Sequence, residues 1–268
     1  MKKILITNDD GIYADGIQTL ARKFYDEGYD VTAVAPDRER SASGHSMTMD
    51  RPLMIKEVSK GHIAGGFCAY SCDGTPTDCV IMALDVLKIE PDIILSGINR
   101  GPNLADDITY SGTACAAMEG LVYGYPSIAV SLVCGTRSPE KHYAAAAEAA
   151  LKIVRELAVN PMQKDVFYNV NVPNIPVAQL NGVRLTSKGK RYYHDKITTV
   201  ETPSGGKAYW VGGSIRDDMD EGTDVWAVAH NYISITPVHL QLTSFEALDF
   251  AKKTSFEENV FNAVSSKK

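Results

Sequence analysis

Two adjacent carboxylates, Asp9 and Asp10, sit in Thr7-Asn8-Asp9-Asp10-Gly11 directly after the apolar run Ile4-Leu5-Ile6. An acidic pair at the carboxyl end of a first strand lies on the edge where open α/β sheets bind ligands, and carboxylate oxygens suit a hard divalent cation. Like charges side by side repel each other, which a bound cation relieves, and oxygen donors of this kind favour Mg2+ or Mn2+ over zinc. Asn-Asp-Asp-Gly is also good turn and helix-capping chemistry, so the pair alone reads either way.

Two neutral oxygens extend the set. Ser41 lies in the polar segment 37–44 and Asn99 in the segment 96–103, each after an apolar run; singly, both are ordinary turn formers. Two carboxylates and two neutral oxygens leave an octahedral ion with vacant positions for water and a phosphate oxygen, as a hydrolytic metal centre requires. Ser111-Gly112-Thr113 precedes the small-residue run Ala114-Cys115-Ala116-Ala117-Met118. Gly112 permits close backbone approach, the first N–H groups of a helix point outward and the hydroxyls add donors, which suits a phosphate; a plain N-cap is the competing reading. Asn103 adds a side-chain amide. Arg38, Arg40 and Arg100 are available to balance phosphate charge, and Asp106 and Asp107 read either as supports for loop amides or as turn caps. The six histidines (His45, His62, His142, His194, His230, His239) show no metal-ligand spacing and receive no ligand role.

These residues need a scaffold that gathers them. Ile17, Leu20, Ala21 and Phe24 follow the i, i+3, i+4, i+7 pattern of a helix with one buried face, and Val31-Thr32-Ala33-Val34-Ala35 follows as a strand closed by Pro36. The alternation recurs: a helix carrying Val80, Ala83, Leu84 and Leu87, strand 93–95, a helix over 113–123, strand 128–132, an alanine-rich helix over 143–157, strand 166–170. This is the signature of a doubly wound, mainly parallel α/β sheet, in which loops after successive strands meet at one edge. Segments 8–11, 37–44, 96–103 and 107–113 are thereby expected in one cleft. From about Val183 the pattern changes to a hairpin (197–202 and 207–211 around Pro203-Ser204-Gly205-Gly206), a returning strand 232–236 and a helix opened by a capping box at Thr243 and Glu246. A second apolar stripe (Phe256, Val260, Phe261, Val264) needs a surface to cover, which points to an oligomer. The expected division is 1–182 for the α/β core and 183–268 for a C-terminal extension, the two being compatible with one continuous domain.

With 268 residues and a formal charge of -6, the chain lacks the basic face of a nucleic-acid polymer binder. Five cysteines without paired spacing read as reduced thiols, and the N-terminus has no apolar stretch long enough for a signal peptide or membrane span, so a soluble cytoplasmic protein is expected. There is no G-x-x-x-x-G-K-[ST] loop, no G-x-G-x-x-G after the first strand and no G-x-S-x-G elbow. The aspartate spacing of i, i+1 also departs from the i, i+2 pair of haloacid-dehalogenase-type phosphatases.

The chain resembles the SurE survival proteins, metal-dependent 5'/3'-nucleotidases acting on nucleoside monophosphates. The shared segments are Thr7 to Gly11; Ala35-Pro36-Asp37-Arg38 with Arg40-Ser41 and Ser43; Ser96-Gly97-Ile98-Asn99 with Gly101-Pro102-Asn103; Tyr110 to Thr113 with Ala117-Met118-Glu119-Gly120; Asn169 to Pro173; Gly222-Thr223-Asp224; and Ser234 to Pro237. The resemblance implies a Rossmann-like fold whose C-terminal part exchanges between subunits of a homodimer or homotetramer. It further implies one Mg2+ or Mn2+ per subunit held by Asp9, Asp10, Ser41 and Asn99, with Ser111, Gly112 and Thr113 facing the phosphate. The expected activity is hydrolysis of nucleoside 5'- and 3'-monophosphates, with Asp9 and Asp10 catalytic and Asn103 assisting at the phosphate. Water attack and covalent attack by Asp9 both remain open, as do a broader acid phosphatase or exopolyphosphatase role and a nucleotide-binding regulatory module.

Overall fold

A computed structural model describes residues 1–59, 66–135 and 138–265. The apolar runs form strands β1 (Lys3–Thr7), β2 (Asp30–Pro36), β5 (Ile93–Arg100), β6 (Ser127–Val133) and β7 (Val166–Pro173), with β3 (Ile55–Glu57) and β4 (Cys68–Cys72) between β2 and β5. Short β8 (Val183–Leu185) and β11 (Ile233–His239) complete a nine-stranded sheet of order β3-β4-β2-β1-β5-β6-β7-β11-β8. The β1–β2, β1–β5, β2–β4, β5–β6 and β6–β7 pairs are parallel and β3–β4 is antiparallel. The doubly wound α/β class is therefore the one observed.

Alternation along the central strands shows why the sheet is covered on both sides. Ile4, Ile6, Ile93 and Leu95 enter one core with Ile17, Leu20 and Phe24 of α1 (Asp15–Asp26). Leu5 and Ile94 enter another with Val80 of α2 (Pro76–Ile81) and Ala116 of α3 (Gly112–Val122). Helix α4 (Tyr143–Leu157) joins the first core through Ala146, Ala150, Leu151 and Val154. Strands buried on both faces read as continuous apolar runs, which is how β1 and β5 were visible in the sequence.

The hairpin is longer than its sequence signal: β9 (Arg191–Glu201) pairs antiparallel with β10 (Lys207–Asp217). Helix α5 (Asp224–Ala229) precedes β11, and α6 (Phe245–Lys252) and α7 (Phe256–Ser265) end the described chain. The N-cap of α6 is Ser244, whose hydroxyl accepts from the Ala247 N–H, not Thr243; Ser244 reaches the third amide of the helix and Thr243 does not. Contacts divide the chain into Met1–Val238 and His239–Lys268, so hairpin, α5 and β8 lie in the larger unit. No helix among the described residues is long and apolar enough to cross a membrane. All five cysteines are free thiols.

Candidate active site

The turn after β1 is built by Asn8. Its Oδ1 accepts from the Gly11 N–H at 3.1 Å and its Nδ2 donates to the Gly11 carbonyl at 3.0 Å. Gly11 has φ +102°, the left-handed region that favours glycine. The turn chemistry is thus met by Asn8 and Gly11, which leaves the two carboxylates for other work.

Asp9 is 4 % exposed and Asp10 only partly buried. Thr113 Oγ1 donates to Asp9 Oδ1 at 2.5 Å, and Asp9 forms no ion pair among the described residues. Burial raises its pKa to about 6, against the opposing Thr113 hydroxyl bond and with a further push from the Asp10 charge. Burial also raises Asp10, opposed by the Arg100 N–H, which donates to Asp10 Oδ2 at 2.9 Å, and by the Arg100 charge.

The neutral oxygens arrive on neighbouring segments. Arg40 N–H donates to the Asp9 carbonyl at 2.7 Å, which brings Ser41 beside the turn. The Ser41 hydroxyl itself donates to Glu39 Oε1 at 2.7 Å, and Glu39 Oε2 lies 3.2 Å from Arg100 Nη2. Asn99 precedes Arg100 at the end of β5; its Nδ2 donates to the Gly101 carbonyl at 3.1 Å, which turns its amide oxygen away from that bond. Asp10, Glu39 and Arg100 line one cleft of about 240 Å3 with Tyr13, Asp15, Lys141 and Tyr143. Arg40 instead donates to the Asp73 carbonyl, and Arg38 is exposed beside Asp37.

The amino end of α3 abuts the aspartate turn. A Cβ on Gly112 would fall 2.8 Å from Asp9 Cβ, 2.8 Å from Ser43 Oγ and 3.1 Å from Asp9 Oδ2, so only glycine lets the helix start touch the carboxylate. Ser111 is the N-cap: its Oγ accepts from the Ala114 N–H at 3.0 Å, leaving its own proton free. Asn103 is buried in a polar knot that holds it in place. Its N–H donates to Asn171 Oδ1, its Nδ2 donates to Ser131 Oγ, and its carbonyl accepts from Asn169 and Asn171. Asp107 accepts the Ser111 N–H through its carbonyl at 3.1 Å and pairs with Arg191 through its carboxylate.

The structure therefore joins Asp9, Gly112 and Thr113 directly, and links Asp10 to the end of β5 that carries Asn99. Ser41 shares the edge but spends its hydroxyl on Glu39. Sequence reasoning missed Glu39, whose charge sits between Ser41 and Arg100, and the anchoring of Asn103 by Asn169 and Asn171. Asn-x-Asn on a strand was the available signal, since two amides at i, i+2 share one face. Among the described residues no group of three or more His, Cys, Asp and Glu forms a metal cluster, so a cation here would need the serine and asparagine oxygens. His62 lies outside the described residues.

Comparison with known proteins agrees over most of the chain. The family model for the survival protein SurE matches residues 4–195. The 5'-nucleotidase SurE of Geobacter sulfurreducens is 47 % identical over 247 residues, covering 91 % of this chain and 90 % of that protein. The 5'-nucleotidase SurE of Stenotrophomonas maltophilia strain K279a is 43 % identical over 249 residues, covering 92 % and 93 %. Among solved structures, the SurE protein from Aquifex aeolicus aligns with a TM-score of 0.79 at 37 % identity, covering 95 % of this chain and 99 % of its own.

Proposed function

The chain belongs to the SurE family, and from that premise we propose that it is a 5'-nucleotidase that hydrolyses nucleoside 5'- and 3'-monophosphates to nucleoside and phosphate with the help of one divalent cation. The contact between Gly112 and Asp9 supports this reading best. It sets phosphate-binding N–H groups and a buried acid side by side.

The donor set fits a hard cation. Among the described residues Asp9 is met only by hydrogen bonds, Asp10 adds a second carboxylate, and Ser41 and Asn99 supply neutral oxygens. Mg2+ or Mn2+ held by these four would neutralise charge on the phosphoryl oxygens and acidify a bound water. The free proton of Ser111 and the first amides of α3 at Gly112 and Thr113 bind the phosphoryl oxygens, and Asn103 assists from the position Asn169, Asn171 and Ser131 hold it in. Thr113 uses its hydroxyl to orient Asp9. Asp9, buried beside the first residue of α3, would take the proton of the attacking water as well as hold the cation. Asp10 fixes the geometry of the pair through the Arg100 amide.

A panel of nucleoside 5'- and 3'-monophosphates assayed with Mn2+, Mg2+ and a chelator tests the reading. Phosphate release with metal and none with chelator is expected. Retained binding with no release across the panel would instead make the chain a nucleotide-binding module. We further propose a homodimer or homotetramer, supported by α6 and α7, which bury none of their residues and expose Phe245, Phe250, Phe256 and Phe261.

A further inference from the structure

We propose that Ser43 is a phosphate-binding residue of this site, donating its hydroxyl proton to a phosphoryl oxygen held at the amino end of α3. The inference rests on the nucleotidase reading and deepens it. Ser43 Oγ is buried and has no hydrogen-bond partner among the described residues. A hydroxyl can rotate to any acceptor within reach, so a buried one that finds none marks a place where an acceptor is missing from the protein itself.

Slack in the segment does not explain the orphan, because the residues around it are pinned on both sides. Gly44 N–H donates to the Tyr110 carbonyl at 3.0 Å, and Ser46 Oγ donates to the Ser43 carbonyl at 2.9 Å. His45 Nε2 lies 2.7 Å from Glu119 Oε2 on α3, Thr75 Oγ1 donates to the Ser46 carbonyl at 2.7 Å, and Thr48 bonds Asp78 through both its amide and its hydroxyl. Ala42 and Gly44, on either side of Ser43, adopt φ of 54° and 58°. The left-handed conformation is unfavourable for alanine, yet the segment maintains it while placing Ser43 against the site.

The orphaned hydroxyl is in the right place. Ser43 Oγ and Asp9 Oδ2 both approach the point that a Gly112 Cβ would fill, at 2.8 and 3.1 Å, so the hydroxyl stands over the first residue of α3. Ser43 thereby adds a donor beside the first residue of α3. A phosphoryl oxygen carries the charge that makes such a bond strong, and charge-assisted bonds are the ones most worth preorganising.

Full-length Ser43→Ala and Ser43→Thr test this by thermal melting with Mn2+, with and without inorganic phosphate, by Mn2+ calorimetry, and by phosphate inhibition of turnover. Ser43→Ala is expected to weaken phosphate inhibition about tenfold or more and to shrink the phosphate-induced melting shift, with Mn2+ affinity within about twofold of wild type. Its ligand-free melting temperature should be unchanged or higher, because an unmet buried donor has been removed. Ser43→Thr should keep most of the phosphate response. The proposal is overturned by a lower ligand-free melting temperature in Ser43→Ala, which marks a structural hydroxyl. A parallel loss of Mn2+ affinity, which marks a cation ligand, or an unchanged phosphate response overturns it as well. Failure of the wild type to hydrolyse nucleoside monophosphates sinks the nucleotidase reading alone, since the phosphate-induced shift and its loss in Ser43→Ala need no turnover.

Discussion

Asn8 is the residue that lets the neighbouring carboxylates work. By closing the turn with both ends of its amide it removes the structural reason for Asp9 and Asp10 to be acids, and burial then makes Asp9 costly to ionise. The sign of the resulting pH dependence follows. The folded pKa of about 6 lies above the ordinary 3.8, so the folded state binds more protons across that window and stability falls as pH rises through it. Chelator-treated protein should therefore melt at a lower temperature at pH 7 than at pH 5 as far as this group is concerned, and Asp9→Asn should flatten that difference in a pH series of thermal melts. The same substitution should cut kcat/KM by about a hundredfold or more while leaving the fold intact by circular dichroism. Unchanged turnover in Asp9→Asn would remove Asp9 from the site.

At the scale of elements, two junctions hold the cradle. The first is the start of α3 against the β1 turn, where Gly112→Ala would force a Cβ to 2.8 Å from Asp9 Cβ and from Ser43 Oγ. Overpacking of this kind costs about 1–3 kcal/mol, so a lower midpoint in urea, together with phosphate inhibition weakened more than tenfold, is expected. The second is the base of the hairpin. Arg191, 9 % exposed, donates to both carboxylate oxygens of Asp217 at 2.7 Å and pairs with Asp107, whose carbonyl accepts the Ser111 amide. Arg191→Met leaves these acids unpaired, and breaking a partly buried pair of this kind costs about 1–3 kcal/mol. Denaturant melts should read that loss, with KM raised because the support behind Ser111 is gone. Asp106 strengthens the same base: the Lys188 bond, and then the Arg191 amide, hold its carboxyl below 3.8. That contribution is complete above 3.8 and is lost as pH falls through the depressed value.

On the scale of the whole molecule, one hollow larger than the site cleft lies away from the chemistry. A groove of about 530 Å3 runs along α4, lined by Ala149, Ile153, Leu157, Tyr168, Leu180 and Ile233. The C-terminal unit for its part exposes an apolar stripe of Phe256, Val260, Phe261 and Val264. Surfaces of this character belong to assemblies more than to isolated chains. A full-length Phe250→Ser, Phe261→Ser variant should sediment as a smaller species than wild type at equal concentration; identical sedimentation would exclude these faces from assembly.

Local pattern alone determined much of this protein. Apolar runs marked β1, β2, β5, β6 and β7, the 3.6-residue stripe marked α1, alanine enrichment marked α4, and their alternation implied the sheet edge where four polar loops would gather. Short elements escaped, because β3, β8 and the six-residue α5 hold too few residues to show a period and are stabilised by partners distant in the chain. Residue types along the loops indicated oxygen donors and a phosphate, but not their division of labour. That Thr113 bonds Asp9 from 104 positions away, that Ser41 turns to Glu39 and that Ser43 is left without a partner among the described residues are outcomes of tertiary packing. Contact distance and desolvation depend on which chain-distant groups share a buried volume, and no local spacing carries that information.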